Sequence, residues 1–229
     1  MRERFEHGSL EHWLIIVLTI TLPLFLVRAG QNPLIARRIR LSLAGLLILN
    51  FFVYAFYRIQ EGYWEIRYDL PMEFCNWSTA FTVIALLTNS KRAAELSYYW
   101  VGVGSIHGLI TPDLQVAFGH VYYFVFWVGH AGLLVAAAYV VFGQKLFPGP
   151  GSVWRSLVVA EVYFLSALVT NYLLDANYGY LSAPPAGGSL INHLGPWPYY
   201  LISLQGIMVV GISLAYLPFY VAARRAQAR

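Results

Sequence analysis

The sequence predicts an all-α integral membrane protein built as a bundle of seven transmembrane helices. Of its 229 residues, 59% are hydrophobic and only 11% are charged, whereas a soluble domain carries about 25% charged residues. The apolar residues gather into seven runs, most of them close to the length that a bilayer-spanning helix needs. Aromatic residues make up 17% of the chain, which suits interfacial belts and aromatic-walled cavities. We therefore expect a single membrane domain over residues 1–229.

The seven apolar runs define the expected helices, and one long connection joins the last two. The runs cover residues 10–27, 39–57, 70–87, 93–110, 119–142, 153–174 and 197–220. The first is short enough to be a signal peptide, but acidic residues precede it and a basic cluster follows it, so we interpret it as a helix. The connection 175–196 is rich in proline and glycine, which predicts a loop.

The distribution of basic residues predicts the orientation of the bundle. With seven helices, 11 of the 15 lysines and arginines fall on one side and 4 on the other. The positive-inside rule then places the C-terminus in the cytoplasm and the N-terminus outside, with the loop 175–196 on the outer side. The net charge of +4 does not predict nucleic-acid binding, because the basic residues lie between the apolar runs.

The only cysteine of the chain, Cys75, lies in a polar patch at the start of the third apolar run. Glu73 and Asn76 flank it, and polar groups in such segments usually mark a site or a pathway. A base or cation on another helix would activate the thiol as a nucleophile. A lone cysteine is also common as a small packing residue, so this alternative remains open.

His130 is the best candidate for a base that acts on Cys75. It lies in the middle of the fifth apolar run, where an ionisable side chain is costly unless it has a partner. Helical spacing puts Tyr123, Phe126 and Trp127 on the same face, where they could wall an acyl chain. Straight helices would leave the thiol and the imidazole several ångströms apart along the membrane normal.

Other polar residues of the predicted outer half are candidates for supporting roles. Glu161 is a candidate for orienting His130, while Asn76, His107 and Asn171 are candidates for hydrogen bonds to an oxyanion. Asn177 in the long loop and Trp197 after it are further binding candidates. Each of these side chains has an alternative, purely structural interpretation. No HxxxH or HxxE spacing appears on a helix, so we expect no metal and no cofactor.

Several stretches carry a resemblance to a known family. They are Leu70-Pro71 with Cys75-Asn76, Thr111-Pro112-Asp113-Leu114, His130-Ala131-Gly132-Leu133, and Leu194-Gly195-Pro196-Trp197-Pro198. These stretches resemble the YwaF-like bacterial integral membrane family, which looks related to the eukaryotic transmembrane protein 164 branch. That branch is implicated in moving fatty acyl groups between glycerophospholipids. The resemblance implies an acyl-thioester on Cys75 and a base at His130. Relatives often carry histidine where this chain has Glu73.

The leading hypothesis is a membrane-embedded acyltransferase or lipid thioesterase-like enzyme. Its substrate would be a glycerophospholipid or other acyl lipid of the bacterial inner membrane. One alternative is a non-catalytic binder or transporter of lipids or other amphiphiles. Another is a membrane assembly partner that uses Gly104 and Gly108 as its contact face. The acyl acceptor and the oligomeric state stay open.

Overall fold

The computed structural model describes residues 4–185 and 190–227, and these residues form helices and loops without a strand. Helix α4 comprises Lys91–Trp100, a π turn at Val101–Ser105 and a last turn at His107–Ile110. Two short 3-10 turns, Tyr178–Tyr180 and Leu190–His193, lie between the last two helices. The remaining helices are α1 (Leu10–Ala29), α2 (Pro33–Gln60), α3 (Phe74–Thr88), α5 (Val121–Gly143), α6 (Ser152–Leu174) and α7 (Tyr199–Gln227).

Five of these helices, α1, α2, α5, α6 and α7, are long and apolar enough to cross a membrane. They carry large apolar side chains on the outside of the bundle; Leu24 is 69% exposed and Ile202 72% exposed. Such a surface is suited to lipid and unsuited to water. The helix α3 has only 15 residues. The prediction of an all-helical membrane protein is therefore confirmed, whereas the count of seven spans and the orientation remain predictions.

The helix ends follow local capping signals more closely than they follow hydropathy. Asn32 accepts backbone hydrogen bonds at the start of α2, and Pro33 occupies its first turn, where a missing N–H costs nothing. The helix therefore begins six residues before the predicted start at residue 39. In contrast, α3 begins at Phe74 rather than residue 70. Pro71 fits this later start, because the residue before a proline disfavours helical geometry.

The bundle has two unlike ends. At the closed end, where α3 meets α4 and α5 meets α6, small and apolar side chains form a buried cluster; Ala85, Leu86, Leu133, Ala136 and Tyr139 are all fully buried there. The opposite end, here called the cavity end, contains a large internal space. The C-terminal ends of α2, α4 and α6 and the N-terminal ends of α3, α5 and α7 surround that space.

A loop segment, residues 177–181, covers the cavity end and is called the roof here. Two hydrogen bonds between the Asn171 side chain on α6 and the Tyr178 backbone fix it. The Tyr178 hydroxyl donates to the Ile66 carbonyl and accepts from the Leu70 N–H. The roof is thus tied to the loop 61–73 on the opposite side of the bundle. Residues 186–189 of the predicted loop 175–196 lie outside the described residues.

Candidate functional site

The cavity has a volume of about 1270 Å³, larger than the 300–1000 Å³ typical of small-molecule sites. Its walls come from α2 to α7 and from the roof. Most of the lining is apolar or aromatic. The polar and ionisable side chains that line it are Asn50, Tyr54, Tyr57, Arg58, Tyr63, Tyr68, Asp69, Glu73, Cys75, Asn76, Thr79, His107, Thr111, Asp113, His120, Tyr122, His130, Tyr163, Tyr180 and Gln205.

Cys75 and His130 lie next to each other in this cavity. The thiol on α3 and the imidazole on α5 both line it and lie within interaction range of each other, although no hydrogen bond of normal geometry joins them. Both residues are half-buried, so the pair faces the cavity while most of its surroundings are protein. In such an arrangement an imidazole can accept the proton of a thiol.

A hydrogen bond to the backbone orients the His130 ring. Nδ1 lies 2.9 Å from the carbonyl oxygen of Phe126, one turn earlier on α5. A carbonyl only accepts, so Nδ1 carries the proton and Nε2 is left free for the thiol. The Phe126 ring lies against the imidazole, with 4.3 Å between the ring centroids. The backbone therefore selects the tautomer that a base requires.

A glycine on α4 makes room for the imidazole. A Cβ at position 108 would overlap the His130 ring and lie 2.7 Å from its Nε2. Gly104, one turn earlier, is filled in the same way by the ring of Phe74 from α3. The two glycines therefore admit side chains of this chain. The predicted contact face for an assembly partner is not available to a second protein.

Two π turns lie beside the thiol and the imidazole. His130 belongs to the π turn Val128–Gly132 of α5, and Ser105 ends the π turn Val101–Ser105 of α4. A π turn inserts one extra residue into a helix, rotates the side chains that follow, and is frequent at functional sites. The short helix α3 starts at Phe74, so Cys75 lies in its first turn.

Glu73 connects the start of α3 to the roof. Its Oε2 accepts a hydrogen bond of 3.1 Å from the Gly179 N–H. Its own N–H donates to Oδ1 of Asn76, which fixes the first turn of α3. Gly179 has a positive φ of 64°, a conformation that favours glycine. The carboxylate thus lies in the cavity with Cys75 and holds the roof above it.

An ion pair at the edge of the cavity fixes the loop 61–73. Asp69 receives two bonds from the Arg58 guanidinium, one from the Tyr54 hydroxyl and one from the Glu65 N–H. Burial by itself would raise the pKa of Asp69, but these hydrogen bonds and the Arg58 charge outweigh it and lower the pKa. In the roof, burial and the nearby Glu73 carboxylate raise the pKa of Tyr180. The cavity edge therefore holds an ionised aspartate and a neutral phenol.

Two of the predicted acyl-groove residues lie elsewhere. Tyr123 donates to Glu11 of α1, and Trp127 packs against Phe5, with 5.2 Å between the ring centroids. The π turn between Trp127 and His130 offers the physical reason, because it rotates the imidazole away from their face. Tyr122 and Phe126 line the cavity instead.

Glu161 does not reach His130. It lies on the exposed side of α6, where its Oε2 accepts a hydrogen bond of 2.9 Å from Gln205 of α7. Its neighbours Ala160 and Tyr163 face the cavity, so the carboxylate is about a quarter turn off the required face. The Phe126 carbonyl orients His130 in its place.

The remaining candidates divide into lining residues and roof supports. Asn76 and His107 line the cavity, as predicted for groups that could contact a substrate. Asn171 is buried and fully engaged with Tyr178, so it supports the roof and is not free to bind an oxyanion. Asn177 bonds to the backbone of residues 182 and 183, and Trp197 Nε1 donates to the Leu181 carbonyl. These two residues also shape the roof.

Sequence reasoning missed several residues of the site. Tyr163 on α6 lines the cavity, and its buried hydroxyl lacks a hydrogen-bond partner. Asn50 donates to the Val125 carbonyl and joins α2 to α5 next to Gly129. A polar residue in the middle of the apolar run of α2 was the available signal. Within the described residues, no group of three His, Cys, Asp or Glu side chains could hold a metal ion.

The fold and the cavity define a helical membrane protein with an internal, lipid-sized space below a loop cover. Residues 7–216 match the sequence model of the TMEM164 family, and the chain belongs to this family. The predicted relation to transmembrane protein 164 is therefore confirmed, while the narrower YwaF-like assignment remains a prediction. A comparison with curated proteins found no match, and a comparison with solved structures also found none.

Proposed function

We propose that this protein is a membrane-embedded acyltransferase or lipid thioesterase-like enzyme that carries the acyl group on Cys75. The observation that supports it is the contact between the Cys75 thiol and the His130 imidazole inside a cavity of lipid dimensions. Because Nδ1 is bound to the Phe126 carbonyl, Nε2 is the nitrogen that can take the thiol proton. A thiol with an adjacent, oriented base is the arrangement that nucleophilic catalysis requires.

The proposed reaction has two matched halves. Nε2 of His130 takes the thiol proton, and the sulfur of Cys75 attacks the ester carbonyl carbon. A C–S bond forms as the carbonyl π electron pair moves to oxygen. Collapse of this intermediate breaks the ester C–O bond, and the leaving alkoxide takes the proton from the imidazolium. The same steps in reverse pass the acyl group to a hydroxyl of an acceptor lipid or to water.

The substrate we propose is a glycerophospholipid or another acyl lipid of the surrounding membrane. The lipid-suited outer surface and the mostly apolar cavity favour this class. On the basis of the sequence, we also propose that the protein is a YwaF-like member of the family in the bacterial inner membrane. It would have seven spans, an external N-terminus and a cytoplasmic C-terminus. The roof then faces outward, and the site lies in the outer half of the bilayer.

A non-catalytic lipid binder is the competing hypothesis, because the same cavity would serve it. Such a protein needs volume and apolar walls, but it needs neither a thiol nor an oriented imidazole. The two hypotheses therefore differ in what they require of Cys75. An assembly role has less support, because Gly104 and Gly108 admit side chains of the chain itself.

The decisive experiment traps the thioester. The purified full chain in proteoliposomes is given a phosphatidylcholine with a labelled acyl chain, and an unlabelled lysophospholipid as acceptor. Because Cys75 is the only cysteine, any hydroxylamine-labile label on the protein reports this residue alone. We expect a labelled adduct at Cys75 by mass spectrometry and label in the acceptor. Both should be absent in Cys75→Ala and reduced at least about 100-fold in His130→Gln.

Two matched controls complete the design. Ser78→Ala removes a buried hydroxyl on α3 that bonds only to its own helix, and His193→Gln removes an exposed histidine outside the cavity. Both should retain wild-type turnover. Lipid uptake by Cys75→Ala without any turnover in the wild type would favour the binder, and full turnover by Cys75→Ala would eliminate the thioester route.

A further inference from the structure

Serine and threonine side chains in the helices of this protein usually bond to their own helix. Their hydroxyls donate to the carbonyl four residues earlier, a common way to satisfy a hydroxyl in an apolar environment. The residues that do so are Thr19, Thr21, Ser78, Thr79, Thr82, Thr88, Ser166, Thr170 and Ser213. The buried Ser97, Ser152 and Ser156 instead bond to side chains of other helices.

Ser105 departs from this pattern. It is 1% exposed, and its Oγ makes no hydrogen bond of normal geometry. The departure coincides with the π turn, in which the Val101 carbonyl accepts from the Ile106 N–H, five residues later. A buried hydroxyl without a partner destabilises a fold, so its retention calls for a reason.

The Ser105 side chain lies within interaction range of the Cys75 thiol, since α3 packs against this π turn. The hydroxyl makes no hydrogen bond of normal geometry to the sulfur in this state. Ser105 therefore approaches the sulfur from α4 while His130 approaches it from α5. A thiolate accepts hydrogen bonds far better than a thiol, so the alignment has most to gain once the sulfur is ionised.

We propose that Ser105 is a positioning residue that donates a hydrogen bond to the Cys75 thiolate. The hydroxyl lies at the end of the π turn of α4 and makes no other hydrogen bond of normal geometry. The bond stabilises the ionised sulfur beside the His130 imidazolium and fixes the direction from which it attacks. Its part in acyl transfer rests on the proposed function, but its effect on the thiol does not.

The other titratable groups that face the sulfur or line the same cavity come from several elements. They are Tyr54, Tyr57 and Arg58 on α2, Glu73 before α3, His107 on α4, Tyr122 and His130 on α5, Tyr163 on α6, Tyr180 in the roof, and Asp69 and Asp113 in loops. A change at Ser105 leaves all of them in place. Any difference between the wild type and a Ser105 variant in the pH dependence of thiol reactivity is therefore assignable to the hydroxyl.

The test measures alkylation of Cys75 by iodoacetamide in the purified full chain in detergent. This probe reacts with the thiolate and needs no lipid substrate. We expect Ser105→Ala to react about tenfold more slowly than the wild type at pH 7, because a hydrogen bond to a charged group is lost. At pH 10 the two rates should converge. Ser105→Thr should restore the wild-type profile, and Ser78→Ala should not differ from it.

Each outcome decides the proposal. Equal rates for Ser105→Ala and the wild type at pH 7 would overturn it, since the hydroxyl would then not stabilise the thiolate. Equal slowing at pH 7 and pH 10 would also overturn it, because that result indicates altered access. A normal pH response without any thioester in the wild type would refute acyl transfer and leave the role of Ser105 intact.

Discussion

The two ends of α5 use the same local device for different purposes. Each contains a π turn, and at each a ring is packed against glycine. At the cavity end the ring is His130, held against Gly108. At the closed end it is Tyr139, which lies against Gly30 and Gly143. A π turn next to glycine is thus not by itself a sign of chemistry.

What differs between the two ends is the space beside the ring. Tyr139 is fully buried in an apolar cluster, so its glycines serve close packing. His130 borders the cavity that Cys75 also lines, and its Nδ1 is fixed by the Phe126 carbonyl. The comparison teaches that the same irregular helix geometry serves close packing at one end and leaves an ionisable side chain next to an open volume at the other.

The substitution Gly108→Ala is the strongest test of this difference between the two ends. The added methyl would overlap the His130 ring, and a misplacement of about 1 Å in a catalytic group can cost about 100-fold in rate. We expect acyl transfer to fall by at least that factor while the protein remains folded, since alanine favours a helix. Gly102→Ala on the same helix, with open space around it, should behave as the wild type. Unchanged turnover by Gly108→Ala would mean that the position of His130 is not critical.

A substitution at the closed end should change the stability of the protein and not its activity. Glu95 is buried there and accepts hydrogen bonds from Arg155 and from the Gly149 N–H. Glu95→Ala should lower the free energy of unfolding by about 3 kcal/mol, at the lower limit for a buried pair, because Arg155 is partly exposed. Thermal denaturation in detergent measures this change, and iodoacetamide alkylation at 20 °C should show an unaltered Cys75. The exposed pair Arg67–Asp175 is the control, since its loss should have little effect.

A smaller, pH-dependent loss of stability is expected when Asp69 at the edge of the cavity is replaced. The lowered pKa of Asp69 means that its ion pair stabilises the fold fully at a pH above the unfolded value near 3.8. This contribution is lost as the pH falls through the folded value. Asp69→Asn should cost about 2 kcal/mol at pH 7 and progressively less below pH 4. Melting temperatures of both proteins between pH 3 and 7 test this, and parallel curves would contradict it.

The sequence predicted the helices well because hydropathy and caps are local signals. The ends of α6, for example, lie within one residue of those expected. The start of α2 was misplaced because hydropathy ignores Asn32 and Pro33, which begin the helix in polar sequence. The start of α3 was misplaced for the opposite reason, since the apolar Leu70 and Pro71 belong to a loop.

The site was predicted in its identities more than in its geometry. Cys75 and His130 stand out as polar groups in apolar runs, and both line the cavity. Tyr123, Trp127 and Glu161 were assigned to the wrong faces because a π turn and helix rotation leave no trace in a single sequence. Ser105 was missed for a related reason, because its unpartnered hydroxyl lies at the end of a π turn that a single sequence does not reveal.

The first residues of the chain have a consequence for the order of assembly. His12 bonds to the Leu109 carbonyl and His7 to the Pro112 carbonyl, across 97 and 105 positions respectively. Phe5 is buried against Trp127 beside them. A ribosome synthesises the N-terminal segment long before these partners, and contacts so distant in sequence form late. The bonds of His7 and His12 therefore form only after α1 to α4 have been synthesised.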